Sequence, residues 1–483
     1  MPLTLLDYTA PQNYITHVFG FHFPINREAN QAEAVAYLKA RLGQVFSLIP
    51  FLGGQIIHAE DGQLPRLVYS REGGSSNLNQ FPDEVFDSQV IDLPYPHFPQ
   101  PFWELLRLGV PAANMTKRLL WLLPESDPAP GDACHPVTLR ATFIEGGVLL
   151  GFAFHHGVMD GTGTLEFLKC FATGTLERLD EVDNLRQGKE GIIKLAANTA
   201  KTAPVNPRSM DGYEFAVPQT QPVLPAAVAK ILTISADSAR SLKQAALEQI
   251  QKTVGPTAFV SVIDVLCGLT WLHLTRVRLK AKRISPSDTT HFATAVDIRR
   301  VMVPAIGAGY IGNMWLRALA RSTVSALVED PSLPVTIEQI ASAAWHIRRA
   351  IVAMTATDPT LRQQHIAVAT MATDPNEKSL TWPEVDAAVR RVISRHSTGL
   401  DATVGVGFGA DVEFEIPGTG GRVKPAWVRR AYVPNEGAMA IMPRQEGAKG
   451  DADWEIWLAL REEDMDALVR KRELGGYLSR PPA

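Results

Sequence analysis

The run FAFHHGVMDGTG, Phe152 to Gly163, sets two histidines side by side and places an aspartate four residues after the second. An imidazole has an unperturbed pKa of about 6.5, so it can take a proton from a hydroxyl or amine at neutral pH. His156 is therefore a candidate general base. Asp160 can hold one ring tautomer, or it can lock the bend through an arginine. Successive strand residues face opposite ways, so only one of His155 and His156 can look into a given cleft. Gly157 lets the chain bend and leaves space beside the imidazole, and Gly161 follows Asp160 directly. Taken alone, a His-x-x-x-Asp spacing fits a structural histidine better than a catalytic one. The setting partly reverses that preference: an apolar strand runs through a glycine-bounded bend into a helix.

Other chemistries have less to work with. No GxSxG elbow is present, so a covalent serine is unsupported. Neither HExxH nor clustered cysteines occur, so no metal is expected. GVGFGA, Gly405–Ala410, mimics a nucleotide loop but runs into DVEFEIPG rather than a helix, and there is no GxxxxGK[ST]. Cys134, Cys170 and Cys267 are far apart and odd in number, which gives no disulfide framework and fits a reducing compartment. Cys170 and Cys267 lie in apolar runs and read as core.

The elements that must position these residues follow from periodicity. Leu38, Leu42, Val45, Phe46 and Ile49 fall at helical steps, ended by Pro50, with a short strand after Gly53-Gly54. HPVTLRATFIEGGVLLGFAFHH reads as a hairpin turning on EGG, and its return strand, Val148 to His156, is apolar on both sides and expected to be covered on both faces. TGTLEFLKCFATG reads as a helix with Thr162 or Thr164 as N-cap. Further helices are expected at Ala236–Glu248, Val260–Leu279 and Ile337–Met354, with a strand at HFATAVDIRR. VGVGFGADVEFEIPG reads as strand, AMAIMPR and DWEIWLAL as a hairpin, and REEDMDALVRKREL as a closing helix. Trp271, Trp315 and Trp457 read as core residues.

A chain of 483 residues exceeds one ordinary core, so two large domains are expected. The proline-rich, aperiodic stretch between them is the expected crossover: 1–200 and 226–483 as domains, 201–225 as linker. A net charge of −4 gives no basic surplus for nucleic acid. The start, MPLTLLDYTA, shows no signal peptide, and no run reaches a membrane span, so a cytosolic protein is expected.

HHGVMDG resembles the HxxxDG signature of the BAHD acyltransferases, and equally the HHxxxDG signature of nonribosomal peptide condensation domains. Both belong to one superfamily with chloramphenicol acetyltransferase. Other stretches favour the first. PLTLLD resembles the family's Leu-Ser-x-Leu-Asp opening and IPFLGGQI its Pro-Phe/Leu-Leu/Ala-Ala/Gly-Gly. AVDIRR, Ala295–Arg300, resembles the segment carrying Asp/Asn-x-Arg, and YIGNMW, Tyr310–Trp315, resembles Phe-Gly-Asn. The matches come in family order, and the ending KPAWVRRAYVPNEGAMAIMPR resembles the fungal branch that includes trichothecene 3-O-acetyltransferase. One departure is plain: where the family has Asp-Phe-Gly-Trp-Gly, this chain has EFEIPGTGG, with Glu413-Phe414-Glu415 in place of Asp-Phe-Gly.

The resemblance implies an α/β fold of two chloramphenicol acetyltransferase-like domains, each a mixed sheet flanked by helices, with a channel between them. It implies direct transfer of an acyl group, expected to be acetyl, from acyl-CoA to a hydroxyl or amine of a small secondary-metabolite acceptor. His156 would be the base and Asp160 its motif partner, turned from the channel and paired with Arg299. Asn313 and Gly161 are the expected substrate-side residues, although an amide bracing the turn after Gly312 fits Asn313 better. Arg299 and Glu413 are expected as structural support. No bound cofactor, metal, nucleic acid or membrane is expected, and a monomer is. Arg276–Arg283, RVRLKAKR, either attracts the CoA phosphates or forms a solvated helix end. Two other readings remain: acyl transfer from a carrier protein, as in condensation domains, and a repurposed fold acting as a cyclase or ligand-binding protein.

Overall fold

The computed structural model describes residues 3–24, 28–58, 65–69, 83–91, 100–115, 120–123, 132–175, 206, 226–302, 310–373, 399–403, 408–431, 436–444 and 452–483. The expected crossover at 201–225 lies outside them except for Asn206. Two large mixed sheets dominate. The first has five strands in the order Trp427–Arg429, Tyr14–His22, Gly147–His155, Val137–Ile144, Phe86–Val90. The second has six, in the order Trp315–Thr323, Thr289–Asp297, Leu400–Thr403, Ala438–Ile441, Trp454–Arg461, Ala227–Ile234. Most pairs are antiparallel. Phe86–Val90 runs parallel to its neighbour, and Leu400–Thr403 runs parallel to both of its own.

The strand that ends in the histidines lies inside the first sheet. It pairs with Tyr14–His22 on one edge, Tyr14 opposite His155, and with Val137–Ile144 on the other. All nine of its residues are buried, as an uninterrupted apolar run requires. The hairpin turn rests on Gly146, whose φ of +79° suits a residue without Cβ.

Beyond the bend comes the helix Gly161–Thr173. Its N-cap is Asp160 rather than Thr162 or Thr164: an Asp160 carboxylate oxygen accepts from the Gly163 N–H at 2.9 Å. Phe167 and Phe171 press the helix onto the sheet, meeting Phe154 and Phe152 edge-to-face at 5.1 and 5.2 Å between ring centres. The helix N-terminus also sits hard against the second half of the chain. A Cβ at Gly163 would collide with the Ile311 carbonyl oxygen.

The expected helices are present as Glu28–Leu48, Ala236–Thr253, Val262–Lys280 and Ile337–Thr355. The tail differs from expectation. Only Phe414–Glu415 of the expected strand in VGVGFGADVEFEIPG is strand, pairing with Arg422–Val423 as a small hairpin; 408–411 turn, and 404–407 lie outside the described residues. The closing helix stops at Leu468, and beyond it Glu473 forms ion pairs with Arg276 and Lys280. Trp427–Arg429 then crosses to the first sheet, where Gly20 leaves the space that the Trp427 indole fills. One apolar core accordingly runs from Phe19 and Phe152 through Ile311 and Met314 to Phe414, spanning both halves of the chain. Among the described residues no helix is long and apolar enough to cross a membrane.

Candidate active site

His156 stands just past its strand, where the first sheet meets the start of Trp315–Thr323 in the second. Its main chain is clamped from both sides. The His156 N–H donates to the Asn13 carbonyl at 2.8 Å, and its carbonyl accepts from Asn313 Nδ2 at 2.7 Å. Asn313 Nδ2 also donates to Asp7 Oδ1 at 3.1 Å, and the Asn313 Oδ1 accepts from the Trp315 indole at 3.2 Å. Asp7 is fixed in turn by a capping box with Thr4 at the start of Leu5–Thr9. An unbroken chain of bonds thus runs from the N-terminal helix through Asn313 to His156.

The imidazole lies 5.7 Å from the Trp315 ring, tilted by 37°. It is half-buried, with Nδ1 enclosed and without a hydrogen-bond partner among the described residues. Burial lowers its pKa below the ordinary histidine value; its own carbonyl, the Asp160 charge, the Asn313 amide and the Met159 carbonyl oppose the shift without overcoming it. The ring is therefore neutral at pH 7, the form a base needs. Gly157 does not take a left-handed φ. It makes room for Gln12, whose amide oxygen would lie 2.6 Å from a Cβ there.

Asp160 forms no hydrogen bond to the imidazole. Its two oxygens accept from Gly163 N–H, from Met314 N–H at 2.9 Å, and from the Arg299 guanidinium at 2.8 and 3.0 Å. Arg299 spends its remaining donors on the carbonyls of Tyr310 and Gly312 and on Asp297. Burial works against the Arg299 charge, yet Asp160 and Asp297 outweigh it and hold its pKa above the usual range. The pair closes the helix N-terminus against the 310–314 turn. The Asp160–Arg299 pair implied by the resemblance is present, and it gives Asp160 a positioning place.

The other expected residues separate. Asn313 is fully buried, and both Nδ2 hydrogens go to protein acceptors, which leaves the substrate-side place expected of it without a donor. Gly161 is the half-buried first residue of its helix. Glu413 is exposed, and its carbonyl accepts from Arg422 at 3.4 Å. The acidic residue that bonds across this region is Glu415, which accepts from the Tyr37 hydroxyl at 3.0 Å. Phe414 keeps an aromatic place in the core against Phe19 and Phe21.

RVRLKAKR is in part the expected solvated helix end, with Lys280 and Lys282 exposed, while Arg276 and Arg278 are buried. Arg276 pairs with Glu473 at 2.9 Å, Arg278 with Asp464 at 2.8 Å and with Glu436, Lys280 with Glu473 at 2.6 Å, and Arg283 with Glu463 and Asp464. Glu473 and Asp464 are buried carboxylates, whereas Glu463 is exposed. Trp271 and Trp457 are core residues, whereas Trp315 is part-exposed beside His156. Asp7, Asn13 and Trp315 were not singled out by the motif; only the PLTLLD and YIGNMW matches contain two of them.

Two mixed sheets flanked by helices meet beside a histidine whose main chain is clamped from both sides. The chain belongs to the transferase family, that of the BAHD acyltransferases, whose family model matches residues 115–474. Among its relatives, O-acyltransferase pigD of Monascus ruber is 24% identical, covering 94% of this chain and 93% of its own. The trichothecene 8-O-acetyltransferase of Fusarium sporotrichioides is 25% identical, covering 96% of each. The fold is that of F. sporotrichioides TRI101, solved in complex with coenzyme A and T-2: TM-score 0.74 at 21% identity over 98% of each chain.

Proposed function

We propose that the protein transfers an acetyl group from acetyl-CoA to a hydroxyl of a small secondary metabolite, with His156 as general base. The observation that carries this reading is the neutral, half-buried imidazole whose main chain is bonded to Asn13 and Asn313. Relatives described as O-acetyltransferases and solved neighbours described as coenzyme A complexes support the choice of donor and of oxygen as acceptor atom.

With Nδ1 enclosed, Nε2 is the nitrogen that meets the substrate. It takes the acceptor hydroxyl proton as the oxygen attacks the thioester carbonyl. The tetrahedral oxyanion collapses with cleavage of the C–S bond, and His156 returns the proton to the departing thiolate. No covalent enzyme intermediate forms. Asp160 and Arg299 set the bend, and Asn313 sets the His156 main chain. The domain division is 1–200 and 226–483 with a substrate channel between them, except that Trp427–Arg429 belongs to the first sheet. The protein acts as a monomer in the cytosol; three cysteines without disulfides fit that reducing compartment.

The test is mass spectrometry of hydroxylated metabolites incubated with acetyl-CoA and longer acyl-CoAs, alongside thiol release. An acetylated product with equimolar free CoA is expected. Turnover only with a carrier-protein thioester, or rearrangement of a metabolite without acyl transfer, would overturn it.

A further inference from the structure

The first histidine of the pair, His155, points to a separate chemistry. We infer that His58, Cys134 and His155 form a binding site for a borderline-soft metal cation, with Zn²⁺ as its simplest occupant. Nothing in their spacing along the chain announces this; the fold brings them together. The strand Gln55–Ile57 pairs with Ala133–Cys134, Ile56 opposite Cys134, and the His58 N–H donates to the Asp132 carbonyl at 2.9 Å. The His155 N–H donates to the Pro136 carbonyl at 2.8 Å, tying the end of the long strand to the same segment.

One ligand atom from each residue lies within 4.8 Å of the other two, and Cys134 Sγ is 3.5 Å from His58 Nε2. Sulfur at 2.3 Å and nitrogen at 2.0–2.1 Å from a tetrahedral Zn²⁺ stand about 3.5 Å apart, so this pair is already at ligating separation. A second observation points to a ligand. His155 is 1% exposed, yet neither ring nitrogen has a hydrogen-bond partner among the described residues. A buried imidazole left wholly unpaired is costly, and a metal would satisfy it. Tyr14 packs edge-on to the His155 ring at 5.2 Å and holds its orientation. His58 is only half-buried, so the cluster opens to solvent on that side, where a water would complete the coordination. Two imidazoles and one thiolate, without a carboxylate, select Zn²⁺-type cations over Mg²⁺ or Ca²⁺.

The site does not depend on the acyl-transfer reading, and its test does not use activity. Metal-free full-length protein would be titrated with Zn²⁺ by calorimetry and with Co²⁺ by absorption. The expected result is one equivalent bound, with a thiolate-to-cobalt charge-transfer band. His58→Ala and Cys134→Ser should each weaken Zn²⁺ binding by at least about a hundredfold, since even outer-shell partners are worth about 10–100-fold. Cys134→Ser should also abolish the band. Absence of the band in the wild-type protein, which needs no variant to fold, or undiminished Zn²⁺ binding in both variants, would overturn the proposal.

Discussion

His156 owes its readiness to burial and backbone clamping rather than to an aspartate on its ring. Burial lowers its pKa, so kcat/KM should rise with pH through an apparent pKa below about 6.5 and stay level above it. An ascending limb centred above pH 7 would contradict this. Asn313 bonds the His156 carbonyl and Asp7, so Asn313→Ala should lower kcat about ten- to a hundredfold while KM barely moves. A raised KM with kcat unchanged would instead return Asn313 to the substrate-binding place expected from its motif. The motif itself was readable in the sequence because its residues are local: a histidine, a helix cap and two glycines within seven positions. What holds the base was not. Asp7 lies 306 positions from Asn313, and no periodicity links them.

The helix Gly161–Thr173 works as a unit with the 310–314 turn, and the Asp160–Arg299 pair is what joins them. Both groups are buried, so Asp160→Ala should cost about 3–5 kcal/mol in denaturant unfolding, because it strands the guanidinium. Arg299→Lys should also destabilise, since an ammonium cannot reproduce the planar two-oxygen contact. A change within about 0.5 kcal/mol for Arg299→Lys would show that the pair holds little. The long helices and the hairpin were legible because their apolar periods are sustained. In the tail the pairing of AMAIMPR with DWEIWLAL was legible too, but the stretch before it was not: it alternates like a strand, yet Phe408 and Gly409 turn at positive φ. The buried charges of RVRLKAKR were not legible either, because their partners lie about two hundred residues away.

Burial favours the neutral form of two interior histidines, His17 and His365. Burial, helped by the Arg430 charge, pushes His17 down to about 3, and burial pushes His365 down to about 4. Their folded pKa values lie below the unfolded one. Their contribution is therefore intact above about pH 6.5 and is lost as pH falls toward 4, because the unfolded chain binds the protons the folded chain excludes. The slope should approach about 1.4 kcal/mol per pH unit for each histidine. His17 packs against Phe408 and Phe154 with both ring nitrogens unpaired among the described residues, so His17→Phe should flatten this acid limb in unfolding experiments at pH 4.5–7. An unchanged limb would remove His17 from the account. In the proposed reaction one imidazole, held where the two sheets meet, takes the acceptor proton. The most direct test of that step is kcat for His156→Ala with acetyl-CoA and an accepted alcohol, measured beside thermal unfolding. The prediction is a loss of at least about a hundredfold in kcat with the melting temperature retained; turnover near the wild-type rate in a folded variant would contradict it.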